Sequence, residues 1–407
     1  MMELLWLLLP VAAFSGWMAA KRGMVRGKGS SDDRTPVYFR GLNFLLNEQP
    51  DKAIDVFVQM LEVDSDTVET HLALGNLFRR RGEVDRAIRI HQNLIARPTL
   101  TRDQRAQALL ELGQDYMRAG LFDRAENLFK ELGELKLYQE QALANLHVIY
   151  QQEKDWEQCL DIAQKLGSLT GRSFAMECAH YYCEMAEQAR GRNDHTQFNA
   201  YLRKAQSSDP GCVRATLLQG ELEAGKGACK SAVKTFKKVE QQDPAYIAEM
   251  LPPLIRCYRE SGTRNELISY LRQLSSSHTS IAPVLALIEF IQADEGDKAA
   301  EKYLADFMQE HPDLEGLERL IQLNLKGSSG AERETLGILK ELVDKMLEDQ
   351  PAYQCVRCGF SAKTLHWQCP GCKSWSSIKP MPTHTEEQHW DAQARDRQKV
   401  LINSIEI

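Results

Sequence analysis

A segment of about 34 residues recurs along most of this chain, and the recurrence restricts the fold more than any other feature. Its clearest copy begins with His71-Leu-Ala-Leu-Gly-Asn-Leu-Phe78 and continues to Ala87 and Leu94. Self-similarity at this period is typical of solenoids, in which each helix pair buries its apolar faces by stacking on its neighbours. The sequence therefore predicts an all-α array of stacked helix pairs.

Small residues recur at one position in the first helix of these segments. The aligned positions are Gly41, Gly75, Gly113, His147, Ala186, Gly220, Ile255 and Ile288. Five of them are glycine or alanine, whereas His147, Ile255 and Ile288 depart from the pattern. In the better copies a second small residue and then a ring follow, as in Ala87 with His91, Ala125 with Phe129 and Ala232 with Phe236. A small residue lets two helices approach closely, and the ring fills the space beside it.

This pattern resembles the tetratricopeptide repeat, with its Gly-x-x-Tyr, Ala-x-x-x-Phe and terminal proline signature. We assign the repeats to residues 37–320 and closing helices to 321–350. Cys159 and Phe198 depart from the small residue of the second helix, so the register of the weaker copies stays open. An irregular bundle of amphipathic helices is the alternative. Helical periodicity of 3.6 residues alone, however, would not produce a pattern that repeats about every 34 residues.

The first 21 residues form an apolar segment. Residues 4–20 carry no charge, and as a helix they would span about 26 Å, enough to cross a bilayer with help from flanking side chains. A cleaved signal peptide is the alternative, but its basic residues precede the apolar core, whereas here Lys21 and Arg22 follow it. The sequence predicts a transmembrane anchor over 1–21 and a flexible linker over 22–36, with the N-terminus periplasmic and the remainder cytoplasmic.

Charge and motifs exclude several classes of function. The 50 basic and 57 acidic residues give a net charge of -7, which argues against a generic nucleic-acid binder. The sequence contains neither a phosphate-binding glycine loop nor the Gly-x-Ser-x-Gly and His-Glu-x-x-His motifs, so we expect no enzyme.

The first helices of the early repeats provide candidates for a partner-binding groove. Polar and flexible apolar side chains of this kind suit peptide capture. The candidates are Asn76, Arg79, Gln114, Met117, Val148 and Gln151.

Two Cys-x-x-Cys pairs lie near the C-terminal end of the chain. Ten residues separate the pairs, which are Cys355 with Cys358 and Cys369 with Cys372. Four thiolates can hold one ion tetrahedrally, and we expect Gly359 and Gly371 to permit the tight turns. Two disulfides are the alternative, which a reducing cytoplasm disfavours. The sequence therefore predicts a metal module over 351–378, followed by a C-terminal tail over 379–407.

The spacing of these cysteines resembles rubredoxin-like and zinc-ribbon folds. Tetrahedral sulfur ligation accepts either iron or zinc, so the sequence predicts one ion without choosing between them. Four sulfur ligands leave no open position for a substrate, which favours a structural site over a hydrolytic one. A module this small needs its ion or a packing partner to fold.

The order of anchor, repeats and four-cysteine module resembles the lipopolysaccharide assembly protein B family of Gram-negative bacteria. The resemblance implies an inner-membrane adaptor that acts with the FtsH membrane protease to limit the deacetylase of the lipid A pathway. Other lipopolysaccharide assembly proteins are implied as further partners, and the four cysteines as the family's metal ligands. The residues themselves leave a second class open, an electron-transfer protein whose repeats dock a membrane partner.

Overall fold

The computed structural model describes residues 68–381 and a few isolated positions before them, namely 40, 41, 43, 44, 49, 52–54 and 56. The predicted anchor, the predicted linker and the chain after residue 381 lie outside the described residues. Among the helices that are described, none is long and apolar enough to span a membrane. The chain divides into two compact units, Met1–Lys154 and Asp155–Ile407.

Five described helices belong to the first unit, and each packs on the next along the chain. They are α1 (Val68–Arg80), α2 (Val84–Ile95), α3 (Arg102–Arg118), α4 (Phe122–Leu135) and α5 (Gln139–Glu153).

The second unit contains twelve described α-helices, a 3-10 turn at Pro244–Tyr246 and a small sheet. Its helices are α6 (Trp156–Thr170), α7 (Ala175–Gly191), α8 (His195–Ser208), α9 (Val213–Gly225), α10 (Cys229–Phe236), α11 (Lys238–Gln242), α12 (Ile247–Ser261), α13 (Arg264–Ser277), α14 (Ile281–Glu295), α15 (Asp297–Glu310), α16 (Leu314–Gly327) and α17 (Ala331–Asp349). The strands β1 (Tyr353–Cys355), β2 (Ser361–Ala362) and β3 (Ile378–Pro380) form an antiparallel sheet in the order β2-β1-β3.

The expected packing of a ring beside a small residue is observed in three helix pairs, where the small residue is the glycine of the first helix. A Cβ atom on the glycine would lie only 2.3 to 2.6 Å from the nearest ring atom, far inside van der Waals contact. The pairs are Gly75 with His91, Gly113 with Phe129 and Gly220 with Phe236. In a weaker copy the equivalent residues Ile288 and Leu304 are both fully buried, so two aliphatic side chains replace the glycine and the ring.

A left-handed residue connects the two helices of most pairs, seven positions after the aligned small residue. Its positive φ angle reverses the chain at the helix end, a conformation that glycine adopts without strain and asparagine tolerates. The residues are Gly82, Gly120, Lys154, Asn193, Gly227 and Gly262.

Two predicted boundaries differ slightly from the helices and strands observed. The boundary drawn at residue 320 falls inside α16, which runs from Leu314 to Gly327. The metal module ends with β3 at Pro380, two residues beyond the predicted end at 378.

We expect Gly113→Ala to lower the free energy of unfolding by about 1–3 kcal/mol, because the added methyl group overlaps the Phe129 ring. Replacing the ring as well, in Gly113→Ala/Phe129→Leu, should recover part of the loss. The matched control is Gly133→Ala in α4, where the new methyl group meets nothing within 4 Å beyond the adjacent backbone of its own helix. Urea unfolding of the three variants measures the effect, and equal midpoints for Gly113→Ala and Gly133→Ala would contradict it.

Candidate metal centre

Two similar backbone turns bring the four cysteines together. In the first turn the Gly359 amide donates to the Cys355 carbonyl at 2.9 Å, and in the second the Lys373 amide donates to the Cys369 carbonyl at 2.9 Å. The residue after the last cysteine of each turn is left-handed, with φ of 75° at Gly359 and 57° at Lys373. The expectation that Gly371 supplies the special backbone angle is therefore wrong, because Lys373 adopts it instead.

The four sulfur atoms have the spacing that one tetrahedral ion requires. Sulfurs held about 2.3 Å from a common centre lie about 3.8 Å from one another. The observed Sγ–Sγ distances are 3.7 Å for Cys355 with Cys372 and 3.6 Å for Cys358 with Cys369. All four sulfurs lie within 4.8 Å of one another. These cysteines form a rubredoxin-like zinc-ribbon site, with the donor set that soft or borderline ions prefer.

The electrostatics of the site already favour one thiolate. Burial opposes ionisation of Cys372, but hydrogen bonds from Ser374 and the neighbouring thiols outweigh it and lower the pKa of Cys372 to about 6. Burial raises the pKa of Cys369 to about 12. Because an ion binds thiolates, its binding must displace the proton that burial favours on Cys369.

The module itself has too little interior to bury its two tryptophans, and both lie against the repeats of the second unit. Trp375 lies between Trp156 of α6 and two aromatic residues of α7. Its ring centroid is 6.1 Å from that of Trp156, 5.8 Å from Tyr181 and 4.9 Å from His180, on which it stacks. Such contacts between rings stabilise the docked module beyond the effect of buried apolar area alone.

His180 connects the same surface to the module through a hydrogen bond. Its Nε2 atom lies 2.6 Å from the Ser376 hydroxyl. Burial, together with the positive charges of Arg214 and Lys379, lowers the pKa of His180 to about 3. The imidazole is therefore neutral at physiological pH.

A second set of contacts joins the module to α12 and the turn before it. The Tyr246 hydroxyl donates to the Ile378 carbonyl at 2.8 Å, and the Tyr353 hydroxyl donates to Glu249 at 2.5 Å. Lys379 forms an ion pair with Asp243 and lies 4.4 Å above the centre of the Tyr246 ring. These contacts fix strands β1 and β3 of the module to the repeats.

The candidate groove residues of the first unit divide into two groups. Arg79, Gln114 and Met117 line an open surface cavity of about 500 Å³, together with Arg80, Arg118 and Asn145, which the sequence did not single out. The lining does not include Asn76, Val148 or Gln151.

Internal ion pairs hold the guanidinium of Arg79 in place at the edge of this cavity. It contacts Glu111 at 2.7 Å and Asp115 at 2.8 Å. Asp115 is fully buried and also lies 2.5 Å from Nδ1 of His91, the ring that packs on Gly75. The repeat packing therefore positions Arg79 through the shared carboxylate.

Sequence reasoning missed the residues that dock the module. Trp367, Trp375, Ser376 and Lys379 have no metal-ligating or repeat pattern that would mark them. The size of the module is the one clue in the sequence. A module of 28 residues cannot enclose two tryptophans, so it must pack them against another part of the chain or a partner.

Comparison with known proteins gives matches to both parts of the chain. A rubredoxin metal binding domain model matches residues 353–380, and a tetratricopeptide repeat model matches residues 70–106. The chain is 39% identical over 383 residues to lipopolysaccharide assembly protein B of Escherichia coli strain K12, covering 94% of this chain and 98% of that protein. It is 37% identical over 391 residues to the protein of the same name from Haemophilus influenzae, again covering 94% and 98%.

We expect acidification to destabilise the docked module through His180. Because its pKa is about 3 when folded and ordinarily 6.5, the unfolded chain binds the proton first as pH falls below 6.5. The stabilisation is complete above that pH, and about 2 kcal/mol of it is lost between pH 7 and pH 5.

Melting temperatures at pH 7 and pH 5 test this, and His180→Gln should show a smaller drop than the unmodified chain by several degrees. The matched control is His195→Gln, since His195 is exposed at the start of α8. It should keep the full pH dependence. Identical drops in all three proteins would contradict the role of His180.

Proposed function

Because the chain belongs to the lipopolysaccharide assembly protein B family, we propose that it regulates lipopolysaccharide synthesis as an adaptor at the bacterial inner membrane. In this proposal it presents the deacetylase of the lipid A pathway to an FtsH-type membrane protease. It also contacts other lipopolysaccharide assembly proteins. The observation that carries the proposal is the identity to relatives over 94% of the chain.

The repeats support a role in binding proteins. Tetratricopeptide arrays expose extended surfaces on stacked helices, which suits recognition of other polypeptides. In the first unit, the cavity beside Arg79, Gln114 and Met117 is a candidate for one such contact. We propose the remaining candidates, Asn76, Val148 and Gln151, as further contacts outside this cavity.

The proposed mechanism is tethering. An anchor over 1–21, with the N-terminus periplasmic and the repeats cytoplasmic, keeps any bound client close to the bilayer. Two partners held on one tether meet at an effective concentration of roughly millimolar. Turnover by a membrane protease can then accelerate without a catalytic residue in this chain.

We further propose that the four cysteines hold one iron or zinc ion with a structural role. The docking contacts of Trp375 and His180 support this role, because they couple the folding of the module to that of α6 and α7. A rubredoxin-like electron-transfer centre is the second candidate, favoured by the exposure of Cys358 at the surface. Full function of the zinc-loaded chain would exclude electron transfer.

Metal analysis of the purified chain tests the proposed structural ion. The purified chain should contain one iron or zinc ion, and Cys355→Ser should lose the ion and melt at a lower temperature. Cys178→Ser, at a cysteine outside the module, should keep both the ion and the stability. Elemental analysis and thermal unfolding measure this. An ion-free chain whose stability is unaffected by Cys355→Ser would refute the structural ion.

The stability of the client tests the proposed adaptor role. Depleting the chain should lengthen the half-life of the deacetylase, measured by pulse-chase, and raise the level of lipopolysaccharide. A version that lacks residues 1–21 should restore degradation poorly, because tethering depends on the anchor. If neither the half-life nor the lipopolysaccharide level changes on depletion, the assignment fails.

A further inference from the structure

The outer face of α17, the last helix before the metal module, carries an apolar stripe. Ile338, Leu342 and Met346 lie at successive steps of four residues, with Leu339 beside them. Ile338 is 57% exposed, Leu342 and Met346 are each 52% exposed, and Leu339 is 45% exposed. We call these four residues the α17 stripe.

Such a face is unusual for the end of a repeat array. Terminal helices of solenoids normally keep a polar outer surface, because no further repeat covers them. The opposite face of α17 is already used, since Val343 is buried and the helix packs on α16. A contiguous exposed apolar patch indicates that something else covers it.

The described part of the chain ends beside this helix, at Met381. The Met381 amide donates to the Ala352 carbonyl at 2.9 Å, and Ala352 lies three residues after the end of α17. In addition, Nζ of Lys363 donates to the carbonyl of Glu348 within α17 at 2.7 Å. The last described residue, Met381, therefore lies next to the end of α17 that carries Met346.

The sequence after this exit point ends in an apolar segment. Residues 400–407 read Val-Leu-Ile-Asn-Ser-Ile-Glu-Ile, so that all but three are large aliphatic residues. The connector 382–399 can extend to roughly 60 Å at the usual length per residue. The stripe lies within about 20 Å of the end of its helix, so the segment can reach all of it.

We propose that residues 400–407 of this chain bind the α17 stripe and cover the exposed end of the array. The stripe and residues 400–407 are both rich in aliphatic side chains, whose burial against each other is favourable. The connector places them at an effective concentration of roughly millimolar, which favours this segment over a partner in solution. The proposal is independent of the proposed function and concerns the chain alone.

Photocrosslinking of the full chain in detergent tests the contact. Ile402 is replaced by the photoreactive residue benzoylphenylalanine, and mass spectrometry locates the crosslinks after irradiation. We expect crosslinks to peptides of α17, reduced several-fold by Leu342→Asp. The matched control is Leu169→Asp on α6, where an exposed leucine is also replaced. It should leave the yield unchanged.

Mixing isotope-labelled and unlabelled chains identifies the occupant. Crosslinks within chains of one label support the proposal. Mixed-label crosslinks would overturn it in favour of a second copy, and a probe that reacts only with detergent would overturn it in favour of a lipid surface.

Deleting residues 400–407 provides an independent measurement. Hydrogen exchange of the α17 amides should become several-fold faster in the deleted chain, while exchange in α6 should not change. Unchanged exchange in α17 would overturn the proposal.

Discussion

Trp375 fills a pocket made by Trp156, His180 and Tyr181, and this contact ties the small metal module to the much larger array. The module has few buried residues of its own beyond two cysteines, Trp375 and Ile378. A fold of this size depends on its ion and on the surface that it covers. The module stabilises the repeats in turn, because it shields the aromatic rings of α6 and α7 from water. Ion binding and the packing of these two helices are therefore thermodynamically linked.

The sequence predicted the parts of the fold that follow from recurring, local constraints. Gly113 beside Phe129 and Gly220 beside Phe236 recur because two helices cannot approach closely with a larger residue at the glycine. The four cysteines were equally predictable, since a tetrahedral ion imposes their spacing.

What could not be predicted depends on contacts between distant residues. His180 and Ser376 are separated by almost half of the chain, and neither belongs to a motif. The left-handed angles of Lys154 and Lys373 were also hidden, because lysine gives no conformational signal as glycine does. The division of the candidate groove residues had the same cause, since helix periodicity gives a side chain's face but not the cavity it borders.

The distance along the chain between the two sides of the docking surface affects how the protein is made. The aromatic residues of α6 and α7 leave the ribosome about 200 residues before Trp375 and Ser376, which complete their pocket. At about 5–20 residues per second, this pocket stays open for roughly 10–40 s during each round of translation. For that period a nascent chain presents Trp156 and Tyr181 to its surroundings, and a chain that terminates before residue 375 never covers them. Exposed aromatic surface on α6 and α7 thus distinguishes an unfinished chain from a complete one.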